Sequence, residues 1–529
     1  MLQPKTLSWV HPVLAAMFPV IFLYSQSIGE TPFTTAVAPM LLMLGIAAVL
    51  MLSLRLVLRD AVKAGFLASI LLLLFFSHGH VFGMIEQNTI AGFVIGRQRY
   101  LLLAEVGAAA AALFVVLRAR KISYNLTPYF TAGLAMLVGI NAVIIVQHHL
   151  NSSPVKAFEV YGREYIPSVS MQRERMPDIY YIILDGYARG DVLRDIYEFD
   201  NTGFLDHLTN NGFYVAKESR ANYVTTQLSL ASSLNMTHVD ILAQTMGADS
   251  NDSAILRRMI RDNAVSRITK SLGYRFVFLP STFGPTRWNP NADAQFRPEL
   301  YPFGRVGKLF IGPIMDNDLG SALLHYSSLW PIADKWILAN SASLFVKNLE
   351  QLTKIPALEG PTFTFAHFLP PHPPYIFDQD GNARGKKYTL TYWFDKQSYL
   401  DQLVWVNKSM ERVVDQILEQ SKDSAVIIIQ SDHGSRSSDT REVIAFGGPP
   451  DRTLVWERSS ILNAYHLPDM CKSSDLYPSI TPVNTFRLIF NSCLGANFEY
   501  LEDKTYWSSH ERPYDFTEIE KLVLAAGNS

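Results

Sequence analysis

The stretch IYYIILDGYARGD, residues 179–191, decides the fold. Its first six residues are apolar or aromatic without a polar break, rich in the β-branched and aromatic types that strands favour. A short continuous run of this kind is a strand buried on both faces, as in a parallel sheet covered by helices. Three further runs have the same character: RFVFL at 275–279, TFTFA at 362–366 and AVIII at 425–429. Helical periodicity fits residues 256–272 and 399–420, which lie between them. The pattern predicts an α/β domain whose mainly parallel sheet is doubly wound, with helices on both faces.

In such sheets ligands bind beyond the carboxyl ends of the strands, so the residues just past each run are informative. Asp185 comes after the first run, His367 after the third, and Asp432 with His433 after the fourth, in QSDHGS. The rigid segment FLPPHPPY after the third run adds His372. Taken singly, an Asp after a strand is usually a cap or turn residue, and a proline-rich loop is usually scaffolding. Their recurrence at one sheet edge shifts the reading toward a metal site. Mixed carboxylate and imidazole donors suit one divalent cation, Zn²⁺ or Mn²⁺.

A nucleophile is sought in SRANYVTTQLSLASSLNM, residues 219–236, where a polar turn meets a run that reads as helical from Thr226 onward. A hydroxyl at a helix N-terminus sits in the positive end of the dipole, beside N–H groups able to hold a phosphate oxygen. Thr225 or Thr226 as a simple helix cap is an equally good reading of the residues alone.

The chain has 529 residues and two halves of different character. Up to about residue 150 it is almost wholly apolar. Five apolar segments, roughly 8–28, 34–54, 62–82, 100–118 and 128–147, are long enough to cross a bilayer, at about 20 residues each. Lys5, the group Arg55, Arg59 and Lys63, and the group Arg118, Arg120 and Lys121 fall on alternate connections; Glu30 marks an opposite one, and Glu86 with Arg97 and Arg99 leaves one connection mixed. The positive-inside rule places the N-terminus in the cytoplasm, and five spans deliver the rest to the other side. His78 and His80, at the end of the third segment, read as interfacial groups facing headgroups more readily than as ligands. The expected organisation is a five-span domain over 1–150, a membrane-surface linker over 151–177 and an extracytoplasmic domain over 178–529. The formal net charge of −2 gives no basic face for nucleic acid. Cys471 and Cys493 are the only cysteines; one disulfide and two buried thiols are both compatible with their placement.

The soluble half resembles the alkaline phosphatase and sulfatase superfamily, and within it the membrane-anchored lipid A phosphoethanolamine transferases and lipoteichoic acid synthases. LDGYARGD is similar to the GETARxDH-like motif of the former, with Asp185 in place of the usual Glu and Ala188, Arg189 and Asp191 kept. Thr226 with Ser229 matches their T-x-x-S nucleophile pattern, HPPY is similar to the HFPY and SHGP segments, and SDHG at 431–434 to the late metal pair. The resemblance covers most of 177–440 and the topology of the membrane half. It implies Thr226 as catalytic nucleophile and Asp185, Thr226, Asp432 and His433 as metal ligands. It assigns His372 to the substrate phosphate or a second metal; His367, Arg436 and Asn222 complete the expected substrate contacts.

The sequence also departs from those families. DHGSRSSD replaces DHGESLGE, the cysteine pairs around the nucleophile are absent, and no Cys/Ser-x-Pro-x-Arg sequence for formylglycine exists. His466, in AYHLP, reads as structural. The implied protein is a phosphotransferase of a bacterial inner membrane, with its catalytic domain periplasmic or extracellular. It would take a phosphoethanolamine or phosphoglycerol headgroup from a phospholipid donor to an envelope glycan or lipid. A sulfatase-like hydrolase and a non-catalytic lipid-sensing regulator are the alternatives.

Overall fold

The computed structural model describes residues 8–28, 33–85, 89–90, 93–94, 97–118, 122–151, 176–296, 312, 318–384, 394–438, 440–448, 450–471 and 475–520. Most of the expected linker, and Lys5, Glu30, Glu86, Arg120 and Lys121 of the charge pattern, lie outside these residues. The chain divides into two compact units, Met1–Ser152 with Tyr301–Ile337, and Ser153–Leu300 with Leu338–Ser529.

The first unit contains helices α1 (Val10–Gln26), α2 (Thr34–Leu58), α3 (Ala61–Ile85), α4 (Gln98–Arg118) and α5 (Ile122–Asn151). Among the described residues four stretches are long and apolar enough to cross a membrane: Thr34–Leu58, Ala61–Ile85, Gln98–Arg118 and Tyr124–Leu150. The first of the five expected spans is a helix of 17 residues. At 1.5 Å per residue it reaches about 25 Å, short of a hydrocarbon core of about 30 Å. Leu41, Val49, Leu56 and Val57 on α2 and Leu103 and Val106 on α4 are exposed, as a lipid-facing surface requires.

The sequence assigns 178–529 to one domain, whereas the structure groups Tyr301–Ile337 with the helices. Side-chain chemistry on α3 and α4 explains the grouping. Ser328 donates its N–H to Phe75 O (2.9 Å) and its hydroxyl to Glu105 Oε2 (2.9 Å). Gly79 donates to Tyr326 O at 3.1 Å, and a Cβ there would lie 2.6 Å from Tyr326 Cα. His80 stacks on the Tyr326 ring at 4.0 Å, and His78 is fully buried with Nδ1 3.0 Å from Glu105 Oε1. His78 is therefore an internal partner of Glu105 rather than a group facing headgroups.

In the second unit the described residues form a seven-stranded sheet: β1 (Ile179–Leu184), β2 (Phe213–Val215), β3 (Arg275–Leu279), β4 (Ala294–Gln295), β5 (Thr362–Phe368), β6 (Val426–Gln430) and β7 (Asn463–His466). The spatial order is β2-β7-β6-β1-β5-β3-β4. β6, β1, β5, β3 and β4 run parallel, and β7 and β2 are antiparallel to their neighbours at one edge. All six residues of β1 are buried. Ile179, Tyr181 and Ile183 enter one core and Tyr180, Ile182 and Leu184 the other, which is why the run carries no polar alternation. Helix α6 (Thr226–Asn235) packs on the first face. α7 (Trp330–Leu352), through its C-terminal turns, and α8 (Lys396–Ser421) pack on the second.

The helical pattern at 256–272 resolves into two helices, Ala254–Arg261 and Ala264–Ser271. Asn263 breaks it: its side chain caps the second helix by accepting from Ser266 N at 2.8 Å. Cys471 and Cys493 are joined as a disulfide. His466 lies in β7 with Nδ1 on Ala425 O at 2.8 Å, a structural contact.

Candidate active site

The sheet order brings the functional residues together. β1 lies between β5 and β6, with Ile183 level with His367 on one side and Gln430 on the other. The carboxyl ends of three adjacent strands therefore carry Asp185, His367 and Asp432 side by side. His367 is the sixth residue of a seven-residue strand, so it is fixed by the ladder and not by the loop after it. The loops are held from below. Tyr399 of α8 accepts from Ala188 N (3.1 Å) and donates to Gly186 O (3.0 Å). Ser431 accepts from Tyr187 N (2.8 Å) and donates to His433 O (2.6 Å). The kept Arg189 and Asp191 of the ARGD motif pair with each other at 2.6 Å, and Arg189 also donates to Ser219 O at 2.9 Å, bracing the segment that leads to α6.

Thr225 occupies the N-cap position of α6 with extended backbone and no capping bond from its side chain, and Thr226 is the first helical residue. Thr226 Oγ1 lies 3.2 Å from His433 Nε2. His433 Nδ1 donates to Gly434 O at 3.0 Å, and its Nε2 lies 3.4 Å from Asp185 Oδ1 and 3.5 Å from Asp432 Oδ2. On the other flank, His367 Nε2 is 3.3 Å from Asp185 Oδ2 while its Nδ1 bonds Thr286 Oγ1 at 2.8 Å, itself bonded to Ser281 Oγ at 2.7 Å. His372 is tied to the same loop, its N–H on Asp185 O at 3.0 Å and its Nδ1 on Pro373 O. That bond leaves Nε2 of the neutral ring an acceptor, which suits a cation better than a phosphate oxygen.

These groups fit a metal. Asp185, His372 and His433, and Asp185, His367 and Asp432, form two sets sharing Asp185, each with donor atoms within 4.8 Å of one another. Asp185 Oδ1, His367 Nε2 and Asp432 Oδ2 are buried without a hydrogen-bond partner among the described residues, a costly arrangement unless a cation satisfies them. Burial, and then the neighbouring Asp185 carboxylate, pushes Asp432 up to about 7. Burial also raises Asp185, lowers His367 to about 4 and holds His433 well below its ordinary value. Neutral imidazoles beside two crowded carboxylates are the protonation states a Zn²⁺- or Mn²⁺-type ion selects. The sequence reading assigns His367 to substrate; its distances group it with Asp185 and Asp432 among the candidate metal donors.

Two further residues complete the site. Arg458, on α9 (Arg452–Ser459), is 4% exposed and belongs to none of the sequence motifs. Its guanidinium donates to Val224 O, to Gly434 O and to His433 Nε2, each at 3.0 Å. Burial, and then the nearby Arg436 charge, brings it down to about 10, while Asp432 and Asp185 oppose that shift. Arg458 is thus a fixed cation facing both carboxylates. Nothing in RTLVWERS singles it out from Arg452 and Glu457 on the same helix. Gly434 permits the approach: a Cβ there would lie 2.0 Å from Glu457 O and 2.8 Å from Ser460 O. Arg436 is buried beside Arg458. Asn222 is a correction. Its amide is fully buried and donates to Thr481 Oγ1 (3.0 Å) and Lys504 O (2.9 Å) while accepting from Val483 N (2.8 Å), so it braces backbone instead of touching substrate.

Several solved structures are similar to this chain. The C-terminal periplasmic domain of EcEptC from Escherichia coli is 12% identical with a TM-score of 0.42, over 68% of this chain and 98% of that one. The integral membrane lipooligosaccharide phosphoethanolamine transferase A from Neisseria meningitidis is 11% identical with a TM-score of 0.36, over 91% of this chain and 94% of that one. A putative sulfatase from Bacteroides fragilis is 14% identical with a TM-score of 0.38, over 65% of this chain and 84% of that one. No curated protein is similar enough in sequence to match. The sulfatase family profile matches residues 177–478, more than half of the chain and every residue placed in the site above. This chain belongs to the sulfatase family.

Proposed function

We propose that the protein is a metal-dependent phosphotransferase that moves a phospholipid headgroup, phosphoethanolamine or phosphoglycerol, through a phospho-threonine intermediate to an envelope glycan or lipid. The observation that carries this reading is the Thr226 hydroxyl, at the start of a helix, 3.2 Å from His433 Nε2 within a buried group of unsatisfied carboxylate and imidazole atoms. Asp185, Asp432 and His433, with His367 beside them and Thr226 itself, would hold one Zn²⁺ or Mn²⁺. A bound divalent ion supplies Lewis acidity and lowers the pKa of an adjacent hydroxyl.

In the first step Thr226 Oγ1 gives up its proton and attacks the phosphorus of the donor diester. The bond from phosphorus to the diacylglycerol oxygen breaks, and that oxygen takes up a proton as diacylglycerol departs. In the second step an acceptor hydroxyl loses its proton, attacks the same phosphorus and releases the Thr226 oxygen, which is reprotonated. The N–H groups of the first turn of α6 and the Arg458 guanidinium would balance negative charge that grows on the phosphoryl oxygens. Arg436 adds a second buried cation on that side. With water as acceptor the same two steps make a hydrolase.

In this reading the helical unit anchors the enzyme in a bacterial inner membrane, with residues 178–300 and 338–529 outside the cytoplasm, so that donor and departing lipid both stay in the bilayer. Full-length protein in phospholipid vesicles should release diacylglycerol, and a metal chelator or a Thr226→Ala change should abolish the release. Sustained diacylglycerol release from the Thr226→Ala protein would overturn the proposal.

A further inference from the structure

A second feature adjoins the site on the far side of His367. A partly open cleft is walled by the end of β5, the loops after β3 and β5 and the C-terminal half of α7. His367 is common to both, lining the cleft while its Nε2 faces Asp185. Through His367 the cleft adjoins the candidate metal donors Asp185 and Asp432.

The lining has a definite chemistry. Its walls are Leu, Phe, Pro and Ile side chains, and its polar residues besides His367 are Ser281, Thr282, Ser341 and Asn348. None of the described lining residues is an aspartate, glutamate, lysine or arginine. Asn348 is 2% exposed, and its amide orientation is fixed because Nδ2 donates to Pro280 O at 2.7 Å. Its Oδ1 is then a buried acceptor with no hydrogen-bond partner among the described residues. A buried carbonyl oxygen left unpaired is unfavourable and invites a donor from a ligand.

We infer that this cleft is a headgroup subsite selecting an uncharged, hydroxyl-bearing group, so that the donor is a phosphoglycerol lipid and not a phosphoethanolamine lipid. The inference rests on the phosphotransferase reading and narrows it. A glycerol hydroxyl donates to one carbonyl oxygen, and its CH and CH₂ groups match apolar walls. An ethanolamine ammonium brings a full charge with three donors to a described lining that offers one unpaired carbonyl oxygen and no carboxylate, so its charge has no counter-ion there, which is unfavourable. Recognition by one satisfied polar group against an unpaired competitor gives a preference of about tenfold or more.

The test uses full-length protein in vesicles holding equal amounts of phosphatidylglycerol and phosphatidylethanolamine with different acyl chains, so that each diacylglycerol identifies its parent lipid by mass. The expected result is release from phosphatidylglycerol at least about tenfold faster. Asn348→Asp should lower that ratio by about tenfold, because it puts a carboxylate where an ammonium would lie. Thr282→Asp, at an exposed position on the rim, should shift the ratio in the same direction without disturbing the buried amide. Equal or faster release from phosphatidylethanolamine by the unmodified protein would overturn the subsite while leaving the phosphotransferase reading standing. So would a ratio unmoved in Thr282→Asp and in a folded Asn348→Asp protein. Release from neither lipid would instead refute the phosphotransferase reading itself.

Discussion

Arg458→Met is the most informative single perturbation of the site's electrostatics. Met keeps much of the apolar stem and removes the guanidinium. Three hydrogen bonds go with it, leaving Val224 O, Gly434 O and His433 Nε2 without that donor in a region where Arg458 is 4% exposed. The larger effect is on charge, because Asp185 and Asp432 lose their buried cation. Removing one partner from a buried charge cluster typically costs about 3–5 kcal/mol. That loss is expected in protein stripped of metal, measured by urea unfolding in detergent with tryptophan fluorescence. In an Asp432→Asn background one negative charge is already gone, so the same substitution should cost about 1–3 kcal/mol less. In metal-loaded protein the bound cation balances the carboxylates, and the loss should again shrink. Equal losses in all three settings would show that Arg458 acts through its two backbone carbonyls alone and would refute its role as the site's fixed cation.

The same geometry sets an outcome for a neighbouring residue. Thr286→Val removes the hydroxyl that links Ser281 to His367 Nδ1 and should weaken metal affinity about 10–100-fold in a chelator competition, since the ring's tautomer and tilt depend on that bond; unchanged affinity would mean that the edge contact from Phe283 suffices. For the membrane half, a reporter fused after Val160 should be active outside the cytoplasm and one fused after Arg120 inside it. Reversed signals would remove α1 as a spanning element, the one helix whose length falls short.

Much of the fold was legible because buried parallel strands carry their signature in composition. β1 and β3 have the bounds their apolar runs suggest, and β5 and β6 differ by two residues or fewer. The short strands Phe213–Val215, Ala294–Gln295 and Asn463–His466 were not legible, because two to four residues of mixed polarity define no period. The same logic separates the site residues. Asp185, His367, Asp432 and His433 stand out because they interrupt apolar runs at strand ends. Arg458 does not, because a charged residue in a short helix reads as solvated surface until Gly434 is seen to let that helix close over the site. Asn222 misled for the opposite reason: a polar residue near a nucleophile looks functional until its partners Thr481, Val483 and Lys504 arrive from elsewhere in the chain. The grouping of residues 301–337 with the helices depends on contacts from Ser328 and Tyr326 to α3 and α4, distant in sequence and without a local pattern.

The central claim is that Thr226 forms the covalent bond to phosphorus. Peptide mass spectrometry of the full-length protein, quenched after incubation with phospholipid vesicles, tests it directly. The account expects a headgroup phosphate on Thr226, absent from the Thr226→Ala protein, with Thr225→Ala retaining the adduct because Thr225 sits at the extended N-cap position ahead of the helix. An adduct on Thr225, or undiminished turnover by Thr226→Ala, would contradict it.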